Sequence, residues 1–276
     1  MKPDIRSYHD PIAFLKDWFA YKKAAKGRFT VRAFARRAGF SSAFFPQVLL
    51  RKRPLTEKAL EKVLPHLDLS PSEASFFRSL RAMGQSKDLQ ERSEGFHAIQ
   101  NFRTYRRMNP KEFEVSRYFS RWFYVTIREM AELEHFKLDA EWISRRLVRT
   151  VPLAEIKKAI RFLKEHGFIE VVDKQGRVST GDKHIQCEGN VYRVALTEFH
   201  IAMLALGADS LHRVEREKRH VSGFTIGMDA DTYQKVTVLF EETMQKIREL
   251  SQANPSRNAV YHVTMAAFPT AHAEEA

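Results

Sequence analysis

Apolar residues recur at helical spacing five times between residues 10 and 85, each time behind a residue that typically caps a helix. Gly27 and Gly39 stand where the first two of these helices should end. Residues 70–73 read Ser-Pro-Ser-Glu, a capping box with proline at the first helical position. The pattern predicts a five-helix domain over residues 1–85, with its caps at Asp10, Thr30, Ser41 or Ser42, Thr56 and Ser70.

A second periodic region predicts three helices, at about residues 115–133, 139–148 and 152–165. Gly167 should end the third helix, and residues 168–172 are typical of a strand. A turn at residues 173–176 leads into a return strand that carries Arg177 and Val178. Three helices followed by a hairpin is the order of a winged helix, which we predict for residues 113–195.

Residues 86–112 are poor in apolar side chains and rich in Arg, Ser and Gln, so we predict a linker there with some helical content. Residues 196–276 should form a small α+β unit, in which a helix precedes a strand–helix–strand arrangement. Its predicted elements are a helix at 196–214, a strand at 222–228, a helix at 229–250 and a strand at 258–268. The predicted fold class is therefore mainly α with a smaller α+β part.

The composition is that of an ordinary globular protein: 276 residues, 43% hydrophobic and 29% charged, with 11 Gly and 10 Pro. Collagen-like and wholly disordered classes are excluded. The longest strongly apolar stretch, residues 201–208, is far shorter than the ~20 residues that cross a bilayer, so no membrane span is expected. The start of the sequence lacks the apolar core of a secretory signal, and Cys187 is the single cysteine. Both features favour a reducing cytoplasm.

The distribution of basic residues along the chain is the feature that most strongly indicates a partner. The formal net charge is +12, and residues 1–90 hold 18 basic and 8 acidic side chains. Residues 18–56 contain ten basic residues and no carboxylate. A solvated helical surface normally mixes both signs, so a block of one sign indicates a polyanionic partner such as nucleic acid.

Residues 32–53 have the pattern of a helix-turn-helix. Ala35 is small enough for the second helix to cross closely, Gly39 suits the turn, and Phe45 and Val48 should fill the core. The spacing leaves Ser41, Ser42, Ala43 and Gln47 facing outward, where base edges would lie, and an amide such as that of Gln47 can pair bidentately with adenine. Phosphate contacts are expected from the flanking cations, which are Arg32, Arg36, Arg37, Arg51, Lys52 and Arg53.

This stretch resembles the phage-repressor type of helix-turn-helix. The resemblance extends through residues 122–129 (WFYVTIRE), 139–143 (DAEWI) and the late run 260–263 (VYHV) that leads to Phe268-Pro269. Together these segments are similar to a paralogous family of conserved hypothetical proteins, numerous in predatory bacteria, with a carboxy-terminal domain of unassigned role. The resemblance implies a transcription regulator and supplies no catalytic residue or ligand.

Two residues depart from that family pattern. Arg51 stands where the pattern usually has Gly, and a left-handed turn there would cost an arginine roughly 1 kcal/mol. Pro46 falls at the end of the first turn of the expected recognition helix, where it is expected to delete one hydrogen bond.

Other candidate sites are weaker. The third helix of the predicted winged helix carries Lys157, Lys158, Arg161 and Lys164, but nearby carboxylates almost balance them, so a structural or dimerising role is favoured over DNA contact. His184 and Cys187 are three residues apart in a polar segment, and we expect no metal site from a lone thiol. No phosphate-binding glycine loop or catalytic constellation is present, so neither enzyme activity nor a cofactor is expected.

The sequence thus predicts a cytoplasmic regulator that binds double-stranded DNA through its helix-turn-helix. A homodimer is expected, because one short recognition helix discriminates poorly and paired half-sites correct this. The carboxy-terminal part could bind an effector or a protein partner. The alternative is an adaptor without enzyme activity, in which both helical modules hold an acidic protein.

Overall fold

The computed structural model describes residues 1–25, 27–172, 178–181, 190–253 and 256–271. The chain divides into two compact units. The front unit comprises residues 1–121 and 184–200, and the rear unit comprises residues 122–183 and 201–276. The described residues are mainly helical with one small two-stranded sheet, which confirms the predicted class at that level.

The five predicted helices of the front unit are all present. They are α1 (Pro11–Ala25), α2 (Val31–Arg37), α3 (Phe44–Leu49), α4 (Glu57–Val63) and α5 (Pro71–Gln85). The oxygens of Thr30 and Thr56 accept hydrogen bonds from the third amides of α2 and α4, and Ser70 forms the full capping box with Glu73. The start of α3 differs from the prediction, since its N-cap is Ala43 and no side chain caps it.

An aromatic cluster forms the centre of the front unit. Trp18 is fully buried and donates its indole N–H to the carbonyl of Leu67 at 3.0 Å. The ring of Phe19 lies edge-on to those of Phe34 and Phe45, with centroids 5.2 and 5.5 Å apart, and Phe34 and Phe45 are tilted against each other at 5.4 Å. Such edge-to-face contacts are favourable beyond the area they bury. The cluster therefore joins α1, α2 and α3 into one core.

The predicted linker is not a separate element. Residues 86–112 contain the helices α6 (Leu89–Asn101) and α7 (Arg103–Met108), and α8 (Pro110–Phe119) follows. Phe96, Ile99 and Tyr105 are buried in the same hydrophobic core as α1 to α5. These three large side chains are few in a polar segment, but they are enough to pack its two helices against the core while most of the segment stays at the surface.

α12 (Asn190–Arg213) begins ahead of its predicted start. Val191, Val194 and Ala195 belong to the core of the front unit. Val191–Arg213 is also the one described helix that is long and apolar enough, by length and composition alone, to cross a membrane. The expectation that no such stretch exists is thereby corrected, because the apolar run extends before residue 201. Val191, Val194, Ala195 and Phe199 are buried on one side of its first half, which is typical of a helix that packs on a protein core.

The rear unit begins with α9 (Trp122–Met130), α10 (Ala140–Ser144) and α11 (Leu153–Glu165). The predicted helix 115–133 is split into α8 and α9. The break lies at Ser120, the C-cap of α8, whose hydroxyl donates a hydrogen bond to the carbonyl of Arg117 at 2.8 Å. β1 (Ile169–Val171) pairs antiparallel with β2 (Val178–Thr180), with Glu170 opposite Ser179. The predicted turn residues 173–176 and Arg177 lie outside the described residues.

The predicted strand–helix–strand arrangement is corrected. Its helix forms as α13 (Ala230–Ala253), but residues 222–228 and 258–268 are not in strands. An alternating sequence becomes a strand only where another strand offers backbone partners, and no neighbouring strand lies beside these segments among the described residues. Three short 3₁₀ turns complete the described elements, at Ile5–Ser7, Leu64–His66 and Arg216–Lys218.

Candidate nucleic-acid interface

α2 and α3 turn their apolar residues into the core, as their spacing predicts. Ala35, Phe45 and Val48 are completely buried. Between the helices, Gly39 has φ 73°, the left-handed conformation that glycine adopts without strain. The amides of Gly39 and Phe40 donate to the carbonyls of Arg36 and Ala35 at 2.9 and 2.8 Å. This pair of bonds is a Schellman motif, and it sets the direction in which α3 leaves α2.

Of the predicted contact residues, Arg32, Arg36 and Arg37 lie in α2 and Gln47 lies in α3, while residues 41–43 precede α3 and residues 51–53 follow it. All of them are exposed except Ser42, which is half-buried. The exposed set consists of Arg32, Arg36, Arg37, Ser41, Ala43, Gln47, Arg51, Lys52 and Arg53. Because the opposite face fills the core, these side chains are available to a partner without any rearrangement of α2 or α3.

Two of the arginines lie over aromatic rings of the core. The guanidinium of Arg37 lies 5.6 Å from the ring centre of Phe34, and that of Arg53 lies 4.7 Å from the ring centre of Phe44. A cation over an aromatic face is attracted to it and loses rotational freedom. Both guanidinium groups are thus partly positioned before a partner binds.

Arg51 differs from the other cations in its backbone and in its partner. Its φ is 58°, as the departure from the glycine of the family pattern suggests. Its amide donates to the carbonyl of Val48 at 2.9 Å, and the next amide donates to that of Gln47 at 3.0 Å, so that α3 also ends in a Schellman motif. The guanidinium forms an ion pair with Asp10.

Asp10 has a second role at the start of α1. Its other carboxylate oxygen accepts the amide of Ile12 at 2.8 Å, which satisfies one unpaired donor of that helix. Arg51 is therefore held by a carboxylate from a helix 41 residues away in the sequence. The remaining predicted cations form no ion pair with a described carboxylate; these are Arg32, Arg36, Arg37, Lys52 and Arg53.

Pro46 does not weaken α3, contrary to the prediction. It is the third residue of the helix. The first four amides of any helix lack a partner within it, so the missing N–H of proline leaves no helical bond unmade. The carbonyl of Pro46 still accepts the amide of Leu50 at 3.2 Å.

Lys62 lies beside the turn at Gly39 and is not among the predicted contact residues. Its ammonium group donates to the carbonyl of Gly39 at 2.6 Å and lies 4.9 Å from the ring centre of Phe40. An added Cβ at residue 39 would lie 2.8 Å from Cε of the lysine, so the flexible end of Lys62 would have to move away from the turn. No sequence signal marks this contact, since the residues are 23 positions apart. Lys62 adds a cation beside the turn and stabilises it.

The rear unit also presents cations. Lys157, Arg161 and Lys164 are exposed on one side of α11, while Lys158 pairs with Glu155 at 2.6 Å. The predicted basic turn, with Lys174 and Arg177, lies outside the described residues. His184 and Cys187 lie outside them as well. Within the described ranges, no three acidic, histidine or cysteine side chains are grouped so as to hold a metal ion.

The comparisons with known proteins concern mainly the second half of the chain. A family model described as a domain of unknown function (DUF4423) matches residues 100–270. The matched range begins inside α6 and includes α7 to α13 with both strands. Neither the comparison with curated proteins nor that with solved structures gave a match.

Proposed function

Because the chain belongs to the DUF4423 family, whose domain covers residues 100–270, we propose its activity from the part of the chain that precedes that domain. The protein is a DNA-binding transcriptional regulator that uses α2, the Gly39 turn and α3 as a helix-turn-helix. The observation that carries the proposal is the surface of these helices. Five arginine and lysine side chains without a described acidic partner surround the outward face of α3.

The proposed contacts divide into two classes. Arg32, Arg36 and Arg37 on α2, with Lys52 and Arg53 after α3, neutralise phosphates and position the protein on the duplex. Gln47 is the candidate for reading a base, since its exposed amide can donate to and accept from adenine. Phosphate contacts depend on charge and base contacts depend on geometry, so the two classes are separable by experiment.

Salt dependence tests the phosphate contacts. Fluorescence anisotropy with a labelled duplex at increasing salt should give a steep fall of log affinity against log salt, with a slope of about −0.9 for each phosphate neutralised. The triple variant R51A/K52A/R53A should flatten that slope by about 2 for each protomer bound, because it removes the phosphate contacts of Lys52 and Arg53 while Arg51 is paired with Asp10. The matched control K157A/K158A/R161A removes the same charge from α11 and should leave the slope unchanged. Absent or salt-independent binding would exclude the proposal.

A test of the base contact uses Gln47→Ala on duplexes selected by the wild-type protein. We expect the variant to lose its preference at one base pair, a change of about 1–3 kcal/mol, with an unaltered salt slope. If the protein were instead an adaptor for an acidic protein, a pull-down from nuclease-treated lysate would retain its associates. A DNA-bound regulator loses them under that treatment.

A further inference from the structure

The exposed apolar side chains of the protein are concentrated in one region, residues 201–271, which we call the tail. Of the 23 large apolar side chains that are exposed in the described residues, 15 lie in the tail. The most exposed are Phe224 at 89%, Leu250 and Phe268 at 73% each, and Tyr261 at 69%. Scattered exposed apolar residues are ordinary, but a concentration of this size in one region marks an interaction surface.

The long helix of the tail, α13, has an apolar stripe that no described residue fully buries. Val236, Phe240, Met244 and Ile247 follow one another at spacings of four, four and three, so they lie on one side of α13. All four are only half-buried, and no residue of the 24 in this helix is buried. An amphipathic helix is stable when its apolar side packs against another layer, so this stripe indicates a missing layer.

Two segments that lie outside any helix or strand flank that helix in the sequence. Phe224, Ile226 and Met228 alternate with small or polar residues, and Tyr261, Val263 and Met265 alternate likewise. The backbone of residues 221–228 and 263–268 makes no backbone hydrogen bond with another described residue. Alternating side chains and available amides are the two features with which an edge strand pairs with another chain.

We propose that the tail docks on the tail of a second copy of this chain. Residues 221–228 and 258–271 contain no Asp, Glu, Lys or Arg. This lack of charge in the two segments favours a second copy over nucleic acid as the partner. A second copy supplies the same uncharged, alternating segments, so their pairing brings no like charges together. An isologous contact of this kind closes after two copies.

The area available is sufficient for a stable dimer. The 15 exposed side chains of the tail present on the order of 1,000 Å² of apolar surface per protomer, taking ~150 Å² for a fully exposed large side chain. Specific interfaces bury about 800 Å² per partner. The docking rests on the proposed function in one respect, namely that two recognition helices would then bind paired half-sites.

Sedimentation equilibrium of the full chain, without DNA, tests the docking. The chain has a mass of 32.1 kDa, and we expect twice that mass in the micromolar range. The variants F224D and F268D should each raise the dimer dissociation constant at least about tenfold, because a buried unpaired charge opposes association. Both side chains are exposed in the single chain, so the fold of the protomer should tolerate them. L89D, an equally drastic change at a 57%-exposed leucine of α6, should leave the constant unchanged.

Hydrogen exchange of the unmodified protein gives an independent measurement. The amides of residues 221–228 should gain protection as the concentration rises, while those of α5 should not change. A monomer at every soluble concentration, a dimer that both tail variants leave intact, or a monomer that binds phosphatidylglycerol vesicles through the tail would overturn the proposal.

The docking and the DNA-binding proposal fail separately. If the wild-type protein is a dimer that binds no duplex, the docking stands and the proposed function falls. If F224D is monomeric and binds a single half-site with about half the wild-type salt slope, both stand. If the wild-type protein is monomeric and binds duplex DNA, the docking alone falls.

Discussion

Arg51, the residue that ends α3 in a left-handed conformation, forms an ion pair with Asp10, the residue that caps α1. The pair fixes the end of the proposed recognition helix to the first helix of the core. Arg51 is also one of the cations for which the sequence predicts a phosphate contact, and Asp10 already neutralises its charge. A phosphate group would have to compete with Asp10 for this guanidinium.

Removing the charge of Asp10 should therefore strengthen DNA binding. Asp10→Asn keeps an oxygen for the amide of Ile12, because asparagine caps helices as well as aspartate does. We expect a rise in duplex affinity of several-fold and a salt slope steeper by about 0.9 for each protomer bound, as one more cation of each protomer reaches phosphate. The control Asp88→Asn changes the same charge at the cap of α6, where the carboxylate accepts the amides of Gln90 and Glu91. An equal gain in both variants would show that net charge alone is responsible.

Glycine usually destabilises a protein relative to alanine, but at the left-handed position of Arg51 we expect the opposite order. Arg51→Gly should be more stable to denaturant than Arg51→Ala by roughly 1 kcal/mol, because only alanine must bear the strain of a positive φ. At Lys52, whose φ is not positive, the glycine variant should be the less stable of the two. The measurement is the free energy of unfolding in urea, and the same order at both positions would contradict the assignment.

Gly95 tests whether α6 belongs to the core. A Cβ at this residue would lie 2.7 Å from the carbonyl oxygen of Ser79 and 2.8 Å from the amide nitrogen of Met83, both in the backbone of α5. Gly95→Ala should thus force the two helices apart and destabilise the front unit by about 1–3 kcal/mol. Gly207→Ala, in α12 with open space around the added carbon, should be neutral or stabilising. A neutral Gly95→Ala would mean that residues 86–112 behave as a linker after all.

Lowering the pH should reduce the stability of the rear unit as Glu132 becomes protonated. Burial alone would raise the pKa of this carboxyl group. Hydrogen bonds from Thr180 at 2.6 and 2.7 Å and the charges of Arg257 and Arg128 outweigh the effect of burial, so the pKa lies below its ordinary value. A group with a lowered folded-state pKa stabilises the fold above its unfolded value of about 4.3, and that stabilisation is lost as pH falls through the folded value. Denaturation followed between neutral pH and pH ~3 should therefore show a shallower loss of stability in Glu132→Gln than in the wild-type protein.

The matched control for that titration is Glu141→Gln. Glu141 is on the exposed side of α10 and its ion pair with Arg145 is 3.8 Å long. An exposed pair at this distance contributes little. The stability of Glu141→Gln should therefore fall with decreasing pH as steeply as that of the wild-type protein. If the stability curve of Glu132→Gln also coincides with that of the wild type, the role of Glu132 is refuted.

Local signals determined much of the front unit. Thr30, Thr56 and Ser70 mark the starts of α2, α4 and α5, because a capping hydroxyl bonds to an amide only three residues away. Gly39 marks the end of α2 for an equally local reason, its left-handed φ. The periodic apolar residues also determined which sides of α2 and α3 are exposed. Each of these features depends on neighbours within about one helical turn.

Only the tertiary structure decided which distant groups meet. The pairing of Arg51 with Asp10 and the contact of Lys62 with Gly39 join residues 41 and 23 positions apart, and no periodicity encodes such distances. Likewise, a polar composition at residues 86–112 did not reveal that Phe96 and Tyr105 enter the core. The alternation at 222–228 predicted a strand, but whether such a segment forms one depends on a partner strand, which local sequence cannot supply.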